Sequence, residues 1–278
     1  MIIWLPSYPK SGNTFMRSIL STYFFSQDGI FSFDKLKKIY QFPTNKVFSD
    51  INVDISNDLD ILKNYRNAQK HLDYKKNSIQ FVKTHSALIK IDGEKFIDPE
   101  HTLGAIYIVR DPRNVITSFS NHYSKNLDES FKIMENEKTI LPKTVSNSKT
   151  YLCSWKTHYK SWKNLNKNYL LVKYEDLIIQ PKNSILRVLK FIDSITGQEF
   201  NPDLKKLEKV IETTHFDRVK DLESKNSFHE APIDKITKKR KVFFNMGKDN
   251  KWEKILDKNL VSKINSAFKD EMIEIGYI

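Results

Sequence analysis

Four short stretches carry residues able to grip an anion and move a proton. The first is Ser7-Tyr8-Pro9-Lys10-Ser11-Gly12-Asn13-Thr14-Phe15. It follows the apolar run Ile2 to Leu5 and opens a helical stretch through Phe25. A helix starting near Thr14 leaves its first amide N–H groups unpaired, with the positive end of its dipole there. Gly12 permits a tight path, Ser11, Asn13 and Thr14 add donors, and Lys10 adds a full charge, so the turn can cradle a phosphate. It is not a Walker A loop, because the first glycine is missing and the lysine precedes the glycine. The plainer alternative is an ordinary capped helix start.

The second stretch is Lys83-Thr84-His85. If the strand before it continues, Lys83 and His85 share a face. A histidine near neutrality can take a proton from an alcohol, and a neighbouring lysine holds developing negative charge and favours the neutral imidazole. The third is Arg110-Asp111-Pro112-Arg113. Asp111 suits an N-cap and Pro112 a first helical position. Arg110 can clamp a phosphate with its planar fork or bond its own loop. The fourth is Lys173-Tyr174-Glu175-Asp176. Two further segments are weaker. Thr213-Thr214-His215-Phe216 reads as a turn, and Lys238-Lys239-Arg240-Lys241 as a solvated charge run.

Each stretch follows an apolar run: Ile2 to Leu5, Ile79 to Val82, Ala105 to Val109 and Tyr169 to Val172. Runs apolar on both faces, separated by helical spacing (Phe15 to Phe25, Ser154 to Leu165, Lys182 to Ile192), indicate a mostly parallel sheet flanked by helices. The fold class is therefore α/β, with a P-loop-like phosphate-binding turn after the first strand and one domain over residues 1–278. In such sheets ligands sit beyond the carboxyl ends of the strands. Four polar endings at one sheet edge point to an anion site.

The chain has 278 residues, 39% hydrophobic and 29% charged, enough for a sizeable core. Its net charge of +12 favours a polyanionic partner or reflects a lysine-rich surface. The single cysteine, Cys153, excludes a disulfide framework within the chain and fits a reducing compartment. No apolar run approaches the roughly 20 residues of a membrane span, so the expectation is a cytoplasmic protein. The seven histidines show no paired-ligand spacing, and there is no GxSxG elbow, so no metal is expected.

SYPKSGNTF, KTH at 83–85, RDPRNVITS at 110–118 and YEDL at 174–177 together resemble the cytosolic-type sulfotransferases that use 3′-phosphoadenosine 5′-phosphosulfate (PAPS). The resemblance runs from residue 2 to the C-terminus. It implies that Lys10, Ser11, Gly12, Asn13, Thr14 and Phe15 bind the 5′-phosphosulfate, with Lys10 on the bridging oxygen and the Phe15 ring on adenine. Arg110 and Ser118 would bind the 3′-phosphate, and Tyr174, Thr214 and Phe216 would line the adenine side. His85 would be the general base, with Lys83 supporting the transition state and PAP (3′-phosphoadenosine 5′-phosphate) as product. Trp155 through Trp162 resembles the helix beneath the acceptor pocket.

One motif departs. The family's late Arg-Lys-Gly loop reads Asn245-Met246-Gly247 here, without its two charges. Lys248, Lys251 or the 238–241 run would have to substitute. The dimerisation motif of animal members is not evident around Leu260-Val261. The acceptor is expected to be a hydroxyl, or less readily an amine, of a small molecule or saccharide. Its pocket would be formed by residues 86–100, 121–150 and 225–240, with Phe131, Ile133, Met134 and Leu141 either as an apolar wall or as lid packing. The competing readings are a small-molecule kinase using ATP and Mg²⁺, and a non-catalytic nucleotide or nucleic-acid binder, which would need a basic stripe with interleaved aromatics.

Overall fold

A computed structural model describes residues 1–74, 79–226, 228–231, 233, 240–247 and 250–278. Five strands build the central sheet: β1 (Ile2–Pro6), β2 (Tyr40–Gln41), β3 (Gln80–Thr84), β4 (Thr102–Val109) and β5 (Asn168–Lys173). Their order is β2-β3-β1-β4-β5, and every pair is parallel. The four expected strands are present. β3 runs two residues beyond Val82 and takes Lys83 into the sheet. β2 has only two residues, too few to leave a periodic signal.

β1 shows why the sheet needs helices on both sides. Ile2 and Trp4 enter one apolar cluster, Ile3 and Leu5 the other, and all four are fully enclosed. Alternate residues of a strand point to opposite faces, so burial of both sets requires two covering layers. Each such side chain contributes about 1.5–3 kcal/mol. The Trp4 indole N–H donates to Thr102 Oγ1 at 3.1 Å, which satisfies its one polar atom.

Helix α1 (Asn13–Phe25) follows the loop after β1, and α2 (Pro112–Tyr123) follows β4. The Asp111 carboxylate caps α2 by accepting from the Arg113 N–H at 2.9 Å, with Pro112 in the first turn. α3 (Trp155–Lys163) buries Trp155, His158, Tyr159 and Trp162, the i, i+3, i+4, i+7 face of an amphipathic helix. Ser154 caps it. α4 (Tyr174–Ile179) starts where β5 stops. α5 (Pro181–Thr196), α6 (Leu204–Thr214) and α7 (Phe216–Lys225) complete the side that faces α1. No helix among the described residues is long and apolar enough to cross a membrane.

Candidate active site

The loop from β1 to α1 lies at the carboxyl edge of the central strand. Gly12 is the N-cap of α1, with φ +97°, and no side chain caps the helix. The start of α1 is therefore not closed by a side-chain cap: no side chain hydrogen-bonds to its first amides. A β-carbon on Gly12 would sit 2.3 Å from Cδ2 of Tyr174. The glycine answers both the left-handed backbone and the close approach of that ring. Lys10 is itself left-handed, at φ +69°.

Asn13 turns inward. Its Nδ2 donates to Leu5 O at 2.8 Å and to Ser7 Oγ at 3.2 Å, so its side chain braces the loop and only its backbone amide faces the helix start. Ser11 is fully buried and its hydroxyl has no partner. Arg110 is also buried. Its Nη1 donates to Lys10 O at 3.2 Å, its guanidinium lies 4.4 Å from the Tyr174 ring centre, and its Nε is unpartnered. An orphaned hydroxyl and an orphaned guanidinium nitrogen beside a lysine are groups an anionic phosphate would satisfy. The residues present thus fit the phosphates of PAPS.

The Lys10 ammonium lies 3.3 Å from His122 Nδ1 and 4.5 Å from the Phe243 ring centre. Burial, then the charges of Arg110 and Lys83, push its pKa down to about 8. Burial and Lys10 push His122 down to about 3, so His122 is a neutral acceptor for that ammonium. Ser118 sits one helical turn before His122 on α2, on the same stripe of the helix.

His85 follows β3. Its Nδ1 donates to the Ser7 carbonyl oxygen at 2.7 Å, with Ser7 Oγ at 3.4 Å. A carbonyl only accepts, so the proton is on Nδ1 and the lone pair on Nε2. Burial and Lys83 hold the imidazole well below its ordinary pKa, against the opposing bond to Ser7. Beneath it, His158 Nε2 donates to the His85 carbonyl at 3.1 Å, and His158 Nδ1 accepts from the Tyr107 hydroxyl at 2.8 Å. Two strands and α3 thereby fix this imidazole. Lys83, buried, points toward Glu230 at 3.8 Å, and burial lowers its pKa to about 8.

Most of the residues expected on the adenine side lie around one hollow. Phe15, Thr214 and Phe216 line one pocket with Ile19, Leu177 and Pro181, and Phe15 meets Tyr174 edge-on at 6.3 Å. The Thr214 hydroxyl is engaged by Val210 O, so it lines the slot without a free donor. Gly247, at φ +52°, packs against Phe216, where a β-carbon would come within 2.5 Å of the ring.

The late loop carries no charge of its own. Asn245 O accepts from Lys220 Nζ of α7 at 3.2 Å, and Met246 is exposed. Of the proposed substitutes, Lys238, Lys239 and Lys248 lie outside the described residues. Arg240 is spent on the carbonyls of Phe228, His229 and Ala231. Lys241 bonds Ser124. Lys251 is exposed. Among the described residues, the cation bonded to this loop is Lys220, which sequence reasoning passed over. His122, Phe243, Arg17 and Glu230 were missed as well. None sits in a motif: Arg17 lies two residues past the first and His122 four past the third, while Phe243 and Glu230 come from distant chain. Phe131 and Met134 are core residues, the former 6.3 Å from Phe268, which favours packing over an acceptor wall.

A family model described as a sulfotransferase domain matches residues 2–276. Flavonol 3-sulfotransferase of Flaveria bidentis is 22% identical over 178 residues, which cover 62% of this chain and 56% of that protein. The chain thus aligns with little more than half of that relative. Retinol dehydratase, solved with androsterone and the inactive cofactor PAP, has a TM-score of 0.61 at 17% identity, over 98% of this chain and 80% of that one. Mouse sulfotransferase SULT7A1, solved with PAP, has a TM-score of 0.58 at 18% identity, over 97% of this chain and 83% of that one. With a domain match spanning nearly every residue and the same fold in solved relatives, the chain belongs to the sulfotransferase domain family.

Proposed function

We propose that this protein transfers the sulfuryl group of PAPS to a hydroxyl of a small molecule. The observation that supports the reading is that Lys10, Lys83, Arg110 and His85 lie at the carboxyl ends of three adjacent parallel strands, with Arg110 bonded to the Lys10 carbonyl and the His85 lone pair left on Nε2. His85 takes the acceptor proton at Nε2, while Ser7 holds the opposite side of its ring. The acceptor oxygen forms a bond to sulfur as the bond from sulfur to the bridging oxygen breaks. Lys10 and the uncapped start of α1 stabilise the charge that develops on the departing phosphate. Lys83 counters charge on the transferring group. The donor supplies an activated sulfuryl group; the protein supplies position and charge.

Phe15, Tyr174, Thr214 and Phe216 hold the adenine in this reading, and Arg110 with Ser118 the 3′-phosphate. The 245–247 loop contributes backbone and the nearby Lys220. The small-molecule acceptor follows the flavonol, retinol and androsterone named for similar proteins; a saccharide remains the alternative. A free Cys153 fits a reducing, cytoplasmic setting.

Calorimetry with PAP against ATP–Mg²⁺ tests the donor, and a panel of phenols, sterols, amines and sugars with labelled PAPS tests the acceptor. PAP should bind and ATP–Mg²⁺ should not compete. Lys10→Ala and His85→Ala should stop transfer while leaving the fold intact. Preference for ATP–Mg²⁺, or turnover in both variants, overturns the reading.

A further inference from the structure

Glu230 lies 213 positions along the chain from Arg17, yet the two form a double hydrogen bond. Arg17 Nη1 donates to Oε1 at 2.8 Å and to Oε2 at 3.1 Å. The Oε2 oxygen lies 3.8 Å from Lys83 Nζ. Arg17 is almost wholly buried, four residues past the Asn13 start of α1. The carboxylate therefore joins a cation of the donor-side helix to the cation next to the base. Arg240 holds the carbonyls on both sides of Glu230, at His229 and Ala231. Phe228 packs 4.9 Å from Phe243, whose ring lies under Lys10.

We infer that Glu230 is a positioning residue for sulfuryl transfer: its carboxylate, clamped by Arg17, supplies the counter-charge that holds the Lys83 ammonium beside His85. The inference rests on the sulfotransferase reading above and on Lys83 acting there as a cation. Glu230 is not placed on donor or acceptor in this reading and works chiefly through Lys83, its charge reaching Lys10 and His85 more weakly.

The charges around Lys83 decide its protonation. Burial lowers its pKa to about 8, Glu230 raises it, and Arg17 lowers it. Lys10 and His85 face it from the loop after β1 and the end of β3, His122 from α2, and His229 lies 3.8 Å from Glu230. Against the cost of burial, Lys83 and Arg17 hold the Glu230 carboxyl down to about 2, so it is ionised throughout the working range. With Glu230 neutral, burial and Arg17 act on Lys83 unopposed. The lysine then loses its proton at lower pH.

The test uses full-length protein and ³⁵S-labelled PAPS with water as the acceptor, so that no acceptor need be known. Sulfate release is followed from pH 6 to 9.5, with PAP affinity measured alongside. Wild type should lose activity above pH about 8, as Lys10 and Lys83 deprotonate. Glu230→Gln should move that limb down by about one unit or more, leaving PAP affinity within about twofold at neutral pH. Glu230→Asp should restore it in part. Arg17→Met in the Glu230→Gln background removes the remaining repulsion and should return the limb toward wild type; it also serves if Glu230→Gln folds poorly. Lys83→Ala separates the two readings. If it releases sulfate with the wild-type profile, the role of Lys83 fails. If it is impaired while Glu230→Gln keeps the wild-type limb, the inference about Glu230 fails.

Discussion

The ammonium of Lys10 lies 3.3 Å from Nδ1 of His122, a neutral imidazole that can only accept there. A buried lysine with a pKa of about 8 is charged below that pH and neutral above it. An anion against it favours the charged form. PAP binding near pH 8.5 should therefore take up protons, seen as a binding heat that varies with the ionisation enthalpy of the buffer. Affinity should weaken as pH rises past 8. Lys10→Ala should reduce the uptake, leaving the part due to Lys83, and His122→Phe should cost roughly 1 kcal/mol, about fivefold in PAP affinity. A heat independent of buffer would show that neither lysine meets the ligand.

Gly12 admits no side chain. Substitution by alanine puts a β-carbon into the Tyr174 ring at a φ of +97°. The backbone term alone costs about 1–2 kcal/mol, and the displaced ring adds to it. Gly12→Ala should lower the melting temperature by several degrees and PAP affinity by more than about tenfold. Wild-type affinity in a folded Gly12→Ala protein would mean that the loop does not bind the donor.

The slot lined by Phe15, Thr214 and Phe216 predicts a split between ligands. Stacking of a base on an aromatic ring contributes about 1–3 kcal/mol. Phe216→Ala should weaken PAP by that amount and leave a simple anion such as pyrophosphate unaffected, as read by competition calorimetry. Equal losses for both would place the ring elsewhere in the binding process, for instance in holding Gly247.

His158 predicts acid sensitivity. Burial lowers its pKa to about 3, against the bond to the His85 carbonyl. The folded protein keeps it neutral while the unfolded chain takes a proton near 6.5. Stability from this group is thus complete above pH 6.5 and declines as pH falls toward 3, by about 1.4 kcal/mol per unit. Between pH 7 and 5 the loss is about 2 kcal/mol. Urea unfolding of wild type and His158→Gln at both values should show the smaller pH effect in the variant. Equal losses would assign the acid sensitivity to other groups.

What the sequence alone determined is local. The strand, turn and helix around Lys10-Ser11-Gly12, the Asp111-Pro112 cap and the KTH after β3 each depend on neighbours within a few residues. Propensity, spacing and charge are enough to read them. That four strand ends share one edge follows from a parallel sheet, and the residues at those ends are the ones the structure brings together. Tertiary structure alone decided the rest. The tautomer of His85 depends on Ser7, 78 positions away, and the charge balance at Lys83 on Glu230 and Arg17, 213 positions apart. The neutrality of His122 depends on burial against Lys10, across 112 positions. Such contacts leave no periodicity, because the energy that fixes them is desolvation and Coulomb attraction between groups the chain brings together only when folded. Asn13 shows the converse: its type suggested a ligand donor, and the packing against Leu5 and Ser7 turned it into a brace.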